Sequence, residues 1–381
     1  MTDSQLIDLA IALNASARLH REAICRLSAA PQIWLEAPRR RLGEVARELR
    51  VSTEAIRRAL DCALDAERRA RIETERAERL GASLITRHAA AYPKRLLDLE
   101  LPPPVLYVLG RLSERPAASI VGSRNADAYG IEAAETFAAE LAASGLTIAS
   151  GLALGVDSAA HRGALAVGGH TLAVLGCGID IDYPRSNRRL RAKIAEHGTI
   201  VSEFPIGTAP ERRHFPIRNR IIAALGCGTL VIRATPRSGS LITAGCALTL
   251  GRLVWAIPGN IFDSRSIGPN SLIRDGAHPV QSASEIIETL PTAVQTELDY
   301  APDGASRSSA PVLERSDLAT LFGAIPAGET ADTSALVEST GLGLDAVLSR
   351  LVELEIMGLL VRYPGPVWGR SGSPPSRTGP G

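Results

Sequence analysis

The stretch Ala118-Ser119-Ile120-Val121-Gly122-Ser123-Arg124-Asn125 is a short apolar, partly β-branched run that stops on a glycine, a serine and an arginine. A buried strand ending in residues that can turn the chain and meet an anion reads as the first unit of a parallel α/β domain. The pattern repeats outward from it. Further strand candidates lie at 147–149, 171–175, 199–201, 229–232 and 253–257, with amphipathic stretches at 129–143, 158–167, 187–197, 217–225 and 241–250 between them. Strand–helix–strand at this spacing predicts a parallel sheet covered on both faces.

Outside this region the character changes. Residues 1–80 carry apolar positions at helical spacing, as in Leu6, Leu9, Ala10 and Leu13, and predict a helical domain of the SAM-like or helix-hairpin kind. Within it, residues 43–56 have a helix-turn-helix look, with Ser52 or Thr53 as N-cap, though a small helical bundle is the stronger reading over a DNA-reading helix pair. Residues 81–290 hold the sheet. A linker over 291–311, rich in Ala, Ser, Thr, Pro and Asp, leads to a third unit at 312–370. Helical stretches at 316–322, 333–339 and 344–354, followed by a strand pair ending at Val367-Trp368, fit a winged helix. The Gly/Ser/Pro-rich tail 371–381 is expected to be disordered.

Composition narrows the function classes. The 381 residues are 45% hydrophobic and 22% charged, with a formal net charge of +1, an ordinary globular balance. No apolar stretch is long enough for a membrane span, and residues 1–5 carry no basic segment leading into an apolar one, so a cytoplasmic protein without a membrane partner is expected. Five scattered cysteines, Cys25, Cys62, Cys177, Cys227 and Cys246, form no C-x-x-C pair, which fits a reducing compartment. The seven histidines have no metal-ligand spacing, there is no Walker motif, and the first turn lacks G-x-G-x-x-G, so no cofactor is expected. His161 follows Asp157 on one helical face, and such a pair is expected to lock its own turn.

In an open parallel sheet, ligands bind beyond the carboxyl ends of the strands. Those ends carry Gly122-Ser123-Arg124, Ser150-Gly151 with Gly155, and Ser238-Gly239-Ser240. Glycine lets backbone approach a ligand, helix N-termini face anions, and the hydroxyls and guanidinium add donors. Together they predict a phosphate site. From Pro205 to Ser240 the basic residues are Arg212, Arg213, Arg218, Arg220, Arg233 and Arg237, against the single acid Glu211. Phe215 lies among them, just before the helical stretch 217–225 that carries Asn219. Cations flanking an aromatic suit single-stranded nucleic acid, where charges follow the backbone and a base meets the ring; core packing of Phe215 is the competing reading.

These motifs resemble the DNA-processing protein A family (DprA, also called Smf). The likeness runs through Tyr92-Pro93, Gly122-Ser123-Arg124, residues 150–157, Asp182-Tyr183-Pro184, residues 202–205, Phe215-Pro216-Ile217-Arg218-Asn219-Arg220, residues 238–244 and Pro258-Gly259. The resemblance implies an extended Rossmann-like domain that binds single-stranded DNA without catalysis, protects DNA entering during natural transformation, and helps load a RecA-type recombinase. It implies that Arg124, Arg212 and Arg213 contact phosphate and that Phe215 meets a base. It also implies a homodimer formed near Ser284–Leu290, through Ile286, Ile287 and Leu290, although those residues would equally suit a docked helix. The alternative is a nucleotide-binding protein or nucleotide N-glycosidase on a similar fold, using Asp157, Asp180 or Glu203; its P-G-G-x-G-T-x-x-E signature is missing, since Asn260 follows Pro258-Gly259. A duplex-DNA reader at 344–354 is disfavoured by Asp345, Glu353 and Glu355 against Arg350, which points to a protein–protein module there.

Overall fold

A computed structural model describes residues 2–16, 19–36, 42–299, 316–325, 330–356, 359–363, 365 and 367–370. They fall into two compact units, Met1–Pro302 and Asp303–Gly381.

The first unit is organised around a nine-stranded sheet. Its strands are β1 Ala82–Thr86, β2 Val105–Gly110, β3 Ala117–Gly122, β4 Thr147–Ser150, β5 Thr171–Leu175, β6 Thr199–Ser202, β7 Gly226–Ile232, β8 Leu253–Ala256 and β9 His278–Pro279, in the order β1-β2-β6-β5-β4-β3-β7-β8-β9. From β6 to β9 every pairing is parallel; β2 joins β6 antiparallel and β1 joins β2 antiparallel. The six expected strands are the six central ones. The three strands that were not expected close the sheet's edges, where β2 follows a proline run and β9 has only two residues.

Burial on both faces explains the continuous apolar runs: β5 and β7 are buried along their whole length. Successive side chains alternate between faces. Leu172 and Val174 of β5 pack with the helices His214–Leu225 and Gly239–Thr249, whereas Ala173 and Leu175 join a cluster with Ile194 of the helix Arg188–His197. The helices Ala128–Ala143 and Val156–Ala166 pack with Ala118 and Ile120 of β3. A further helix, Ile267–Arg274, occupies a stretch whose Gly268-Pro269 reads as a loop; the proline lies in its first turn, where no backbone donor is lost.

Residues 3–79 supply six helices among the described residues, including Asp3–Asn14, Arg21–Ala29, Thr53–Ala63 and Ala66–Arg79. Thr2 and Gln5 close a capping box on the first. Ser52 caps Thr53–Ala63 by accepting from Ala55 N at 3.1 Å. Trp34 is fully buried among Ile24, Leu27 and Ile56, its indole N–H donating to Leu27 O at 2.8 Å.

Two expectations need correction. The first part of the expected linker is the helix Thr292–Asp299: Val294 and Leu298 pack on the sheet's core, and Gln295 Nε2 donates to the carbonyls of Ile287 and Leu290. The remaining linker residues, 300–311, and the tail 371–381 lie outside the described residues. Ile286 and Leu290, named for a dimer contact, are 0% and 3% exposed within the protomer's own core, with Ile287 packed against it. The helix Ala283–Thr289 turns Ile286 inward and keeps Ser284 and Glu288 exposed.

The second unit contains the helices Ser316–Gly323, Thr333–Thr340 and Leu344–Ile356, and the strands β10 Thr330–Asp332, β11 Leu360–Tyr363 and β12 Val367–Arg370 in an antiparallel sheet ordered β10-β12-β11. Leu321, Val347, Leu351, Leu354 and Trp368 form its core. Asp332 caps the helix Thr333–Thr340 through Ala335 N at 2.9 Å.

Candidate nucleic-acid interface

The strand order reverses between β3 and β7, the usual place for a ligand crevice. Here that crevice is closed. Ser123 N donates to Arg233 O at 2.7 Å, and Gly122 lies hard against Ile232 O and the Val156 side chain. Arg233 is fully engaged: it pairs with Asp127 at 2.9 Å and Asp263 at 3.4 Å, and its guanidinium lies 4.5 Å from the Tyr129 ring centroid.

Open space lies instead beyond β3, β4 and β5, in a cavity of about 60 Å³ lined by Arg124, Leu152, Leu154, Tyr183 and Phe215. Arg124 is exposed and makes no ion pair among the described residues. Its guanidinium lies over the Phe215 ring, 5.0 Å from the centroid. Tyr183 is 38% exposed and packs against the same ring, with centroids 5.5 Å apart and planes tilted by 35°. Phe215 is half-buried, so it is neither a core residue nor a free platform. Tyr183 was quoted as a motif and not named for the site; the signal was a rare aromatic on the loop after β5, at the same sheet edge.

Beneath this surface lies a buried polar layer that sets the loops. Arg218 is 3% exposed and donates from Nη1 to Val174 O at 2.7 Å. A side chain on Gly151 would collide with that guanidinium, so this glycine makes room for an arginine and not for a ligand. Burial pulls the Arg218 pKa down to about 10, with Asp157 acting the other way. Asp157 is raised by burial against the lowering effect of Arg218 and of backbone N–H groups, among them Ala153 N. Ser150 Oγ donates to Ile120 O at 2.6 Å. Asn187 Nδ2 donates to Leu152 O at 2.9 Å and Ser158 Oγ at 2.8 Å, pinning the loop after β4. Gly155 has φ 73°, and a Cβ there would meet Ser123 O; this close approach fixes the turn that carries Arg124.

His161 does not pair with Asp157. Its Nδ1 lies 2.7 Å from Thr171 Oγ1, and that hydroxyl donates to Ile148 O at 2.8 Å, so Nδ1 must be the donor. Nε2 is then a bare acceptor, buried without a partner. Burial, reinforced by Arg218 and Arg162, pushes the His161 pKa down to about 3.

The expected cluster therefore divides. Arg124, Arg212, Arg213 and Phe215 reach the surface, and Arg212 makes no ion pair among the described residues. Arg213 pairs with Glu211 at 2.7 Å. Ser238 caps the helix Gly239–Thr249, with its Oγ 2.7 Å from Ser240 Oγ; Gly239 is exposed, and its carbonyl accepts from Asn219 Nδ2 at 3.1 Å. Ser150, Gly151, Gly155 and Arg218 support the edge without facing it. Arg220 leaves the site altogether. It pairs with fully buried Glu203 at 2.6 Å and donates to Leu101 O at 2.8 Å; Arg21 reaches the same carboxylate at 3.3 Å, and Asn14 Nδ2 donates to Glu203 O. This knot docks the N-terminal helices on the sheet. The third carboxylate considered for chemistry, Asp180, accepts from Gly207 N at 2.9 Å. No His/Cys/Asp/Glu group among the described residues could hold a metal, and no described helix is long and apolar enough to cross a membrane.

Residues 83–291, which run from β1 through the helix Ala283–Thr289, match the family of the DNA recombination-mediator protein A. The chain belongs to that family. It is 40% identical over 288 residues to protein Smf of Escherichia coli (strain K12), covering 74% of this chain and 76% of that one. Among solved structures it is similar to DNA processing protein A of Streptococcus pneumoniae, at 33% identity and a TM-score of 0.63, over 74% of this chain and 96% of the other. It is also similar to DNA processing protein A of Helicobacter pylori, at 31% identity and a TM-score of 0.50, over 55% of this chain and 94% of the other; that structure concerns the single-stranded DNA binding mode of the H. pylori protein. The matched span contains Arg124, Tyr183, Arg212 and Phe215.

Proposed function

We propose that the protein binds single-stranded DNA across the carboxyl edge of its parallel sheet and acts as a recombination mediator in natural transformation, handing the strand to a RecA-type recombinase. The observation that carries this reading is Arg124 resting on the face of Phe215, beside Tyr183, with exposed Arg212 three positions before the ring and without an acidic partner among the described residues. A guanidinium held by a ring is attracted only weakly when exposed. An arriving phosphate draws Arg124 off the ring, and the uncovered Phe215 face takes a base; Arg212 and Arg213 follow the backbone on the other lip. The family membership and the H. pylori structure support the same partner.

The reading is non-catalytic. Asp157, Asp180 and Glu203 each accept hydrogen bonds or ion pairs from the protein itself, which gives each of them a structural role. It places the protein in the cytoplasm as a homodimer, with a contact elsewhere than Ile286 and Leu290. The second unit, with its three helices and three-stranded sheet, is read as a winged helix serving protein contacts, since Asp345, Glu353 and Glu355 on and beside its last helix oppose a phosphate backbone. Titrating fluorescent single- and double-stranded oligonucleotides tests the function: preference for the single strand supports it, and equal or absent binding contradicts it.

A further inference from the structure

A second cavity lies away from the sheet edge. It is a groove of about 1120 Å³ between the N-terminal helices and the segment from Phe204 to His214. Five arginines line it: Arg21, Arg50, Arg58, Arg76 and Arg213. Four of them hold carboxylates of the protein, Arg21 with Glu203 at 3.3 Å, Arg58 with Glu54 at 2.9 Å, Arg76 with Glu73 at 3.7 Å and Arg213 with Glu211 at 2.7 Å, and the remaining lining acid, Glu22, pairs with Arg26 at 3.0 Å. Arg50 holds none among the described residues; it is exposed, and its backbone is held at φ 52°, at the turn that leads into the capped N-terminus of Thr53–Ala63. That N-terminus adds partial positive charge to the same wall.

The opposite wall begins where the sheet-edge site ends. Arg212, Arg213, His214 and Phe215 are consecutive: Phe215 borders the cavity beyond β3–β5, whereas Arg213 and His214 line the groove. His214 is 7% exposed and stacks on Phe204 at 4.4 Å, and its Nδ1 is buried without a hydrogen-bond partner. Phe204 is 1% exposed and His214 7%, so neither ring presents a free face, and the exposed ring in the groove's lining is the imidazole of His20.

We propose that this groove continues the path of the nucleic-acid strand, and that the N-terminal helices grip its phosphate backbone there after Phe215 has met a base. The proposal rests on the single-stranded DNA reading of the sheet edge. It gives the helices 3–79 a part in binding, and it predicts a site longer than the edge alone and indifferent to base identity within the groove.

The test compares the full chain with an Arg50→Gly/Arg58→Ala variant on oligothymidylates of about 6 and about 20 nucleotides, lengths that bracket a single binding fold. Arg50→Gly suits the left-handed backbone, and unchanged affinity for the short strand reports an intact edge. The expected result is a roughly 3- to 10-fold loss on the long strand, and a salt slope shallower by about 1.4, or about 0.7 per phosphate contact removed. The Arg50→Lys/Arg58→Lys variant should restore the slope. Unchanged long-strand binding by the first variant would overturn the groove while leaving the edge intact. Failure of the unaltered protein to hold either strand would overturn the edge reading and the groove with it.

Discussion

The Arg124 guanidinium lies 5.0 Å from the centroid of the Phe215 ring, so a cation and an aromatic 91 positions apart in the sequence cover one another at the sheet edge. Neither group is free until a ligand separates them. Phe215→Ala is expected to weaken single-strand binding by about 1–3 kcal/mol, the range for a base–aromatic contact, while Phe215→Trp preserves it. Fluorescence anisotropy with a labelled oligonucleotide checks this; equal affinities for the wild type and the alanine variant would remove Phe215 from the interface.

Tyr183 packs 5.5 Å from Phe215 and is accessible at the same opening. Tyr183→Ala is expected to raise the dissociation constant for an oligonucleotide several-fold, with little change for one in which abasic sites replace the bases. An equal loss on both would mean that Tyr183 supports the loop and does not meet a base.

How far the sequence could be read follows from which residues carry their own signal. The six central strands were legible because β-branched runs buried on both faces need no partner to be recognised. β1 and β2 were not, since their pairing is antiparallel and long-range and a Pro-rich segment precedes β2. Arg124 and Phe215 were legible as a strand end and as an aromatic inside an arginine cluster. Arg218 and Arg220 could not be told from Arg212 by composition. Helix phase decides: two residues turn the helix by about 200°, which sends Arg218 to Val174 O and Arg220 to Glu203 on opposite sides. Only knowing where the helix begins, at His214, makes that phase readable.

Gly155 has a left-handed backbone with Ser123 O against its missing Cβ. Gly155→Ala is expected to cost about 1–3 kcal/mol of stability and to weaken DNA binding by displacing the turn that holds Arg124. Denaturant unfolding together with the binding titration checks both halves; a variant as stable and as tight as the wild type would contradict the role given to this turn.

His161 supplies the pH dependence. Its pKa falls from 6.5 in the unfolded chain to about 3 in the fold, so below pH 6.5 the unfolded state takes up a proton that the native state refuses. Stability drops as pH falls through that window, at a slope approaching about 1.4 kcal/mol per pH unit. Asp157, raised by burial, runs in the opposite direction, which is why the comparison must be with a His161→Gln variant. The stability difference between wild type and variant should shift by about that slope between pH 6 and pH 5; a difference independent of pH would contradict the burial of His161 as a neutral imidazole.

Glu203 neutralises Arg21 and Arg220 from a fully buried position. Glu203→Gln is expected to destabilise the first unit by about 3–5 kcal/mol, because two guanidinium groups lose their counter-charge. Thermal unfolding checks this, and an unchanged melting temperature would refute the docking role of the knot.

The most direct test of the single-strand site is the salt dependence of binding by an Arg124→Ala/Arg212→Ala variant whose fold is verified by circular dichroism. If both arginines contact phosphate, affinity falls and the slope of log K against log salt becomes shallower by about 1.4, about 0.7 for each contact. A folded double variant with the wild-type affinity and slope would show that the strand does not cross this edge.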